Sequence, residues 1–217
     1  MENHPLNQKL RRGLDELNLS LTDSQIALLL AYLDELNRWN KAYNLTAIRD
    51  PEQMLYLHIL DSLAILPLLE GEHFVDVGTG PGIPGIPLAI ACPERSFQLI
   101  DSNGKKMRFV FQTRLKLKLD NVIEKQIRVE QFDPDAENRP GGYCGVISRA
   151  FTSVPDMLEK CDHLPRKGGR FYAMKGKEPK DELSTLAKKY KVVASHPLIV
   201  PGIDAERHLI EIVHTEG

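Results

Sequence analysis

The sequence predicts an α/β fold, with a helical region before residue 70 and a mostly parallel sheet after it. At 217 residues, 42% of them hydrophobic and 27% charged, the chain has the size and composition of a globular protein. From residue 73 onward, short apolar runs alternate with helical segments, which is the pattern of βαβ units. The last two apolar runs are joined by a turn alone, so they predict an antiparallel hairpin at one edge.

The sequence pattern of residues 1–70 predicts a helical module packed on the core. Thr22 and Gln25 form a capping box, which opens a long amphipathic helix. Pro51 occupies a first-turn position and opens a second helical stretch over residues 51–69. The N-terminal region is therefore predicted to be helical, with the loop AYNLTAIRD before the second helical stretch.

The remaining residues, 71–217, predict one sheet domain. Its strands are expected near 73–77, 96–101, 121–127, 144–148, 169–174, 192–200 and 207–214. Its helices are expected at about 84–92, 103–119, 153–163 and 180–190. The segment 103–119 contains the strand-like alternation LKLKL, but the helical spacing of Met107, Val110 and Phe111 favours a helix. Seven strands ending in a hairpin are typical of the Rossmann-like sheet of class I S-adenosylmethionine-dependent methyltransferases.

A glycine-rich segment, FVDVGTGPGIPG at residues 74–85, follows the first strand. It matches two cofactor patterns: G-x-G-x-x-G at Gly80, Gly82 and Gly85, and D-x-G-x-G-x-G at Asp76, Gly78, Gly80 and Gly82. Ligands of such sheets lie beyond the carboxyl ends of the strands, where glycines let the backbone approach closely. Asp101 ends the second strand, where a carboxylate can bind the ribose hydroxyls of either cofactor.

Two features favour S-adenosylmethionine over a dinucleotide. A pyrophosphate needs several free N–H donors at a helix N-terminus, and Pro81, Pro84 and Pro87 remove three of them. Asp76 adds negative charge, which repels a pyrophosphate and suits the sulfonium and ammonium groups of S-adenosylmethionine. A dehydrogenase is therefore the weakest of the alternatives.

Composition narrows the other possibilities. The longest apolar runs are too short for a membrane span, and the N-terminus lacks the apolar stretch of a signal peptide. Three widely spaced cysteines predict neither disulfides nor a metal site, so we expect a cytoplasmic protein without a bound metal. The net charge is −2, but residues 104–119 contain six basic residues and no acidic one. A basic face of this kind suits a polyanion, although most surface charge only solvates a fold.

Several motifs together resemble one protein family. They are NLTAI, HILDSL, FVDVGTGPGIPGIPLAI, LIDSNGKKMRF, VISRAF, GRFYAMKG and ERHLI, and they occur in order over nearly the whole chain. They resemble the GidB (RsmG) family of bacterial methyltransferases. The resemblance implies a Rossmann-like methyltransferase that modifies N7 of a guanine in 16S ribosomal RNA, guanine 527 near the decoding site.

The resemblance also implies a set of site residues. It places Gly78, Ile83, Asp101, Val129, Glu130 and Arg149 at the cofactor, and the D-x-G-x-G-x-G pattern adds Asp76, Gly80 and Gly82 to the predicted cofactor-binding residues. Val129 and Glu130 would lie beside the adenine. Arg149 would lie where cofactor and substrate meet. The implied partner is 16S rRNA or the small ribosomal subunit, and we expect a monomer.

Methyl transfer from a sulfonium is an in-line displacement that depends on positioning and on the exclusion of water. Guanine N7 presents an in-plane lone pair, so we expect no general base. Arg149 and Lys175, at the ends of adjacent strands, are our candidates for catalytic contact with the base or a phosphate. RNA contacts are predicted at Lys105, Lys106, Arg108, Arg114 and Arg207.

A polar cluster in the N-terminal region permits two interpretations. His58 and Asp61 lie at i and i+3 of one helix, with Asn44 and Thr46 just before it. The cluster either lines the mouth of the cofactor site or only caps a helix packed on the sheet. Two other functions stay open, a small-molecule methyltransferase and a nucleic-acid-binding module without catalysis.

Overall fold

The computed structural model describes residues 4–137, 139, 141–149, 151 and 153–215. Its sheet has seven strands: β1 (His73–Val77), β2 (Ser96–Asp101), β3 (Val122–Gln126), β4 (Tyr143–Ser148), β5 (Pro165–Lys175), β6 (Tyr190–Pro197) and β7 (His208–His214). The spatial order is β3-β2-β1-β4-β5-β7-β6. The first five strands pair in parallel, whereas β7 is antiparallel to both β5 and β6. This confirms the predicted α/β sheet and its terminal hairpin.

The helices flank this sheet. They are α1 (Asn7–Glu16), α2 (Asp23–Tyr43), α3 (Pro51–Met54), α4 (Asp61–Leu63), α5 (Gly85–Ala91), α6 (Gly104–Leu117), α7 (Val154–Cys161) and α8 (Lys180–Ser184). A π-helical turn, Leu55–Leu60, joins α3 to α4. Short 3₁₀ turns span Leu66–Leu68, Val129–Gln131 and Asp135–Glu137. In the described part of the chain, no helix has both the length and the apolar character that crossing a bilayer requires.

The sheet reverses its direction of growth between β1 and β4. From β1 the chain adds β2 and then β3 on one side, and it returns to place β4 on the other. In open α/β sheets the ligand lies at such a switch point, outside the carboxyl ends of the strands. The segments after β1, β2 and β4 therefore meet at the edge where a site is expected.

Two apolar clusters cover the faces of the sheet. On one face, side chains such as Phe74, Leu99 and Ile147 pack with α5, α6 and the N-terminal helices in a continuous cluster. On the other face, Val75 and Phe171 pack with α7. Alternate residues of a strand point to opposite faces, which explains why neighbours such as Phe74 and Val75 belong to different clusters. The division of the chain at residue 70 stays a prediction, and the apolar packing is continuous across it.

Two predicted helices are wrong in extent. The helix expected over 180–190 ends at Ser184, where Ser184 Oγ donates to Asp181 O and Thr185 Oγ1 donates to Glu182 O. Hydroxyls that bond nearby carbonyls compete with the helix, and β6 begins soon afterwards. The helix expected over 51–69 is interrupted by the π-helical turn, which periodicity alone does not reveal.

Candidate active site

The loop after β1 depends on its glycines. Gly82 has φ +91°, and a Cβ there would collide with the side chain of Ile86. A Cβ on Gly85 would lie 2.8 Å from Asp76 Oδ2 and 2.9 Å from the Leu99 side chain. Only glycine allows both the positive φ of the loop and the close approach of α5 to the sheet.

Hydrogen bonds to the Asp76 side chain fix the conformation of this loop. Its side chain is buried, and Oδ2 accepts hydrogen bonds from Thr79 Oγ1 at 2.6 Å and from the Gly85 amide at 2.8 Å. Among the described residues, nothing donates to Oδ1. Burial raises the pKa of Asp76 to about 7, against the lowering effect of its two donors. The carboxyl lies behind the loop and holds its shape.

The amide groups of the loop are largely occupied. Gly82 N and Ile83 N both donate to Thr79 O, and Ile86 N donates to Gly82 O. A pyrophosphate would need several free amides at this point. The hydrogen bonding therefore agrees with the interpretation that the loop does not bind a dinucleotide.

Asp101 joins the ends of β1 and β2. Its Oδ2 accepts from Gly80 N at 2.8 Å, and its Oδ1 accepts from Asn103 N at 2.7 Å. Beside it lies a cavity of about 220 Å³, here called the Asp101 cavity. Its lining includes Gly78, Ile100, Asp101, Val129, Glu130 and Phe151. The structure thus brings together four of the predicted cofactor residues.

Gly78 also lines a second cavity of about 240 Å³, the Gly80 cavity. This cavity lies between the glycine loop and the N-terminal region. Its lining includes Thr46, His58, Gly80, Ile83, Lys106 and Arg149. Thr46 and His58, from the polar cluster of the N-terminal region, thus lie at the mouth of the glycine loop.

His58 and Arg149 line a third cavity as well, the Arg207 cavity, of about 440 Å³. The other polar groups in its lining include Asp61, Lys175, Arg207 and His208. The three cavities follow one another along the carboxyl edge of the sheet, because Gly78 is shared by the first two, and His58 and Arg149 by the last two.

Asp61 organises the charges between these cavities. Arg149 Nη1 donates to Asp61 Oδ2 and Arg207 Nε donates to Asp61 Oδ1, each at 3.0 Å. Arg149 also donates to Leu57 O at 2.9 Å and to His58 Nδ1 at 3.2 Å. Asp61 is buried, so its charge is balanced within the site.

His58 is held in a neutral state. Its Nε2 lies 2.9 Å from Thr46 Oγ1, and the imidazole is buried. Burial lowers the pKa of His58 to about 4, and the positive charge of Arg149 acts in the same direction. Nδ1 lies 3.0 Å from Leu57 O, which favours a proton on Nδ1, and 3.2 Å from Arg149 Nη2, which favours a lone pair there. A neutral imidazole adds no positive charge beside Arg149, so it does not compete with that arginine for Asp61.

The other predicted cationic residues occupy different environments. Lys175 Nζ lies 3.4 Å from Glu182 Oε2, at the edge of the Arg207 cavity. Arg114, on α6, pairs with Glu124, on β3, at 2.6 Å. Among the described residues, no ion-pair partner is found for Lys105, Lys106, Arg108 or Lys118.

Sequence reasoning did not identify two connections of this site. Tyr32 Oη, on α2, donates to Pro81 O in the glycine loop at 2.8 Å. The double role of Asp61 toward Arg149 and Arg207 was also missed. A buried Tyr needs an acceptor and a buried Asp needs a cation, but the sequence does not identify the partner.

The strand order, the terminal hairpin and the glycine loop at the switch point define a class I methyltransferase fold. Solved structures share it. A ribosomal protein L11 methylase from Lactobacillus delbrueckii subsp. bulgaricus superposes with a TM-score of 0.52 at 14% identity, over 77% of this chain and 80% of that one. Mycoplasma TrmK (M. capricolum), in complex with S-adenosyl-homocysteine, gives 0.53 at 16% identity, over 72% and 68%.

The chain belongs to the GidB family, described as rRNA small subunit methyltransferase G, whose model matches residues 25–210. A relative from Escherichia fergusonii is 52% identical over 94% of this chain and 96% of its own. One from Klebsiella pneumoniae subsp. pneumoniae has the same identity and coverage. Both are named ribosomal RNA small subunit methyltransferase G. The resemblance found in the sequence is confirmed.

Proposed function

We propose that this protein transfers a methyl group from S-adenosylmethionine to N7 of a guanine in 16S rRNA, and that the target is guanine 527. Family membership supports the reaction. The observation that supports its location is that His58 and Arg149 line both the Gly80 cavity and the Arg207 cavity. These two residues thus form a wall that is common to the proposed cofactor cavity and the proposed substrate cavity.

The residues around the first two cavities fit S-adenosylmethionine. Asp101 retains lone pairs on both carboxylate oxygens for ribose hydroxyls, and the buried Val129 offers an apolar wall to an adenine. Gly78 and Gly80 line the Gly80 cavity without a side chain, so a ligand there can lie close to the loop. Asp76 acts through the loop, since its carboxylate is bonded to Thr79 and Gly85. The bound cofactor supplies an electrophilic methyl group on a sulfonium.

The Arg207 cavity fits the nucleotide. Arg149, Lys175 and Arg207 place three positive charges around it, of which Asp61 pairs with the two arginines and Glu182 with Lys175. A pocket of this kind attracts a phosphate-bearing substrate and offers donors to the O6 atom of a guanine. We assign Arg149 to contact with the base and Lys175 to contact with the base or its phosphate.

Methylation of guanine N7 requires little proton transfer by the protein. N7 of guanine is nucleophilic without deprotonation, so positioning and exclusion of water supply the catalysis. His58 is neutral near pH 7 and is bonded to Arg149, which fits a positioning role. Two arginines held by Asp61 present donors in fixed orientations, and the carboxylate offsets part of their positive charge beside the methylated, cationic product.

We further propose that the protein acts in the cytoplasm as a monomer. Its substrate, ribosomal RNA, is made and assembled in the bacterial cytoplasm. Light scattering coupled to gel filtration would test the oligomeric state directly.

The experiment that tests this function is transfer of labelled methyl groups to small-subunit RNA, offered as naked RNA and as ribosomal particles. Chemical cleavage at 7-methylguanine then locates the product. We expect one modified guanine, with activity lost in Arg149→Ala. Arg166→Ala is the matched control, because Arg166 is exposed at the opposite end of the sheet and should leave the rate unchanged.

Three results would contradict the proposal. Methylation of several unrelated guanines would refute a single target. Modification at another atom of the base would refute the N7 chemistry. Binding of S-adenosylhomocysteine without transfer to any form of the RNA would instead favour a small-molecule methyltransferase.

A further inference from the structure

A groove lies between α6 and β3, outside the three cavities of the proposed active site. Its volume is about 890 Å³, and its lining includes Gly104, Lys105, Arg108, Phe111, Glu124 and Gln126. We call it the edge groove, because β3 is the outermost strand on its side of the sheet. No step of the proposed methyl transfer uses it.

The aromatic ring of Phe111 is not part of the buried core. Phe111 is 39% exposed, whereas its neighbours Phe109 and Val110 are fully buried. The Arg114 guanidinium carbon lies 5.8 Å from the centroid of the Phe111 ring, and Arg114 is itself paired with Glu124. The ring is therefore held by its neighbours while a large part of it is open to solvent.

Positive charge surrounds this ring. Within the described chain, Lys105 and Arg108 have no ion-pair partner, and both are exposed in the lining of the edge groove. The whole of α6 contains five basic residues and no acidic one. The charge complements a polyanion, and an exposed aromatic ring among basic residues is the arrangement that binds single-stranded nucleic acid.

The edge groove and the active site are lined by neighbouring residues at the start of α6. Lys106 follows Lys105 on α6 and lines the Gly80 cavity, with its Nζ near the glycine loop. Asn103, which caps α6, donates its amide to Asp101. A strand of RNA whose target base enters the site can thus pass Lys106 and reach Lys105 and Arg108 along one helix.

We propose that the edge groove binds an unpaired nucleotide of the substrate RNA, whose base stacks on Phe111. Lys105 and Arg108 bind the adjoining phosphates, and the amide of Gln126 lies at the groove where the edge of a base can meet it. The inference rests on the proposed function, since it names a second contact of the same RNA. A protein partner or a second copy of this chain is the rival occupant.

The test compares Phe111→Ala with Leu115→Ala. Leu115 lies one turn further along α6, is 51% exposed and does not line the groove, so it matches Phe111 in exposure. With a small-subunit RNA substrate that the wild type methylates, Phe111→Ala should raise Kd and KM about tenfold, a loss within the range of one base–aromatic stack. Leu115→Ala should leave both unchanged, and neither variant should alter kcat or the affinity for S-adenosylhomocysteine.

Two further measurements separate stacking from other effects. Phe111→Trp should preserve RNA affinity, whereas Phe111→Leu, which keeps an apolar side chain, should not. Phe111→Ala should leave the slope of log Kd against log salt unchanged, because no phosphate contact is lost. Lys105→Ala should reduce that slope by about 0.7, the value for one phosphate of a single strand.

The outcomes distinguish this inference from the proposed function. If the wild type methylates the RNA and Phe111→Ala binds it as tightly as the wild type does, the edge groove inference is wrong and the function stands. Full affinity in Phe111→Leu would also overturn it, because stacking needs a ring. If Phe111→Ala instead abolishes self-association or binding of a ribosomal protein, the occupant is a protein. If the wild type transfers no methyl group to any RNA, the proposed function itself fails.

Discussion

Asp61 accepts one hydrogen bond from each of two arginines, Arg149 and Arg207, which lie 88 and 146 residues further along the chain. The three side chains connect the N-terminal region with the end of β4 and the start of β7. Since the carboxylate is buried, it orients both arginines toward the Arg207 cavity and keeps their charges from repelling each other.

Asp61→Asn should therefore lower both stability and activity. An amide has one acceptor oxygen, so one arginine loses its partner and meets an NH₂ group. We expect about 2 kcal/mol less free energy of unfolding, below the 3–5 kcal/mol of a fully buried pair because both arginines are partly exposed. Urea unfolding measures the first effect, and kcat/KM for RNA should fall at least tenfold.

The control for this variant is Asp156→Asn. Asp156 pairs with Lys160 on the surface of α7, where both side chains are more than a third exposed. Surface pairs contribute little, so we expect a change within about 0.5 kcal/mol. Equal losses of stability in the two variants would contradict the role assigned to Asp61.

The pH dependence of stability contains two opposing contributions. His58 has a pKa of about 4 in the folded protein and 6.5 ordinarily, so the unfolded chain takes up its proton first. Stability from His58 is therefore present above pH 6.5 and is lost as the pH falls toward 4. Asp76 behaves in the opposite way, because its pKa rises from 3.8 to about 7 and the folded state retains the proton. Its contribution is present below pH 3.8 and is lost as the pH rises toward 7.

Single variants should separate these contributions. In His58→Gln the free energy of unfolding should fall as the pH rises from 4.5 to 6.5, and in Asp76→Asn it should rise, each by on the order of 2 kcal/mol. Urea titrations at the two pH values measure the slopes. Slopes of the same sign in the two variants would show that one of the assignments is wrong.

Much of the fold follows from the sequence, because the cause of each element lies close to it in the chain. The capping box at Thr22 and Gln25 is present in the structure as expected. Asp101 also lies where the end of a parallel strand must place it, beside Gly78. Both inferences depend on residues that are close in sequence, so the geometry of one strand or one helical turn determines their positions.

What could not be predicted depends on contacts between distant segments. Arg207 was expected to face RNA, but the structure places its Nε against Asp61. Arg114 was likewise expected to contact RNA, and the structure pairs it with Glu124. A sequence shows which side chains are charged. Whether a charged side chain faces solvent or pairs with another residue depends on how distant segments pack. The contacts of these residues with RNA stay predictions.

Tyr32→Phe should remove the hydrogen bond between α2 and the glycine loop, here called the brace. The variant leaves the Pro81 carbonyl without its donor, which costs about 1 kcal/mol. Because that carbonyl belongs to the cofactor loop, the Kd for S-adenosylhomocysteine should rise severalfold. Calorimetric titration measures the affinity, and chemical unfolding measures the stability.

Tyr143→Phe is the matched control for this brace. Tyr143 is equally buried, but its hydroxyl has no hydrogen-bond partner among the described residues. Removing an unpartnered hydroxyl from the interior should be neutral or slightly stabilising. If Tyr143→Phe destabilises as much as Tyr32→Phe, the effect comes from repacking and not from the loop.

Gly85→Ala should disturb the junction of α5 with the sheet. The added Cβ would lie within 3 Å of both Asp76 and Leu99, so the helix or the strand must shift. We expect a loss of 1–3 kcal/mol, about the cost of overpacking a core, and weaker binding of S-adenosylhomocysteine. Gly176→Ala, where a Cβ meets open space, should change the free energy of unfolding by less than about 0.5 kcal/mol. Similar losses in both would mean that crowding at Gly85 is not the cause.

The continuous apolar cluster beneath the N-terminal helices has a consequence for how the molecule melts. Leu10 and Leu29 share that cluster with Leu99 of β2, so the helices cannot detach without exposing one face of the sheet to water. The chain is then one cooperative unit, and heat should unfold it in a single transition. A ligand that binds only the glycine loop should raise the melting temperature of the whole molecule. Thermal shift thus offers a simple screen for cofactor analogues, because the N-terminal helices and the sheet unfold together.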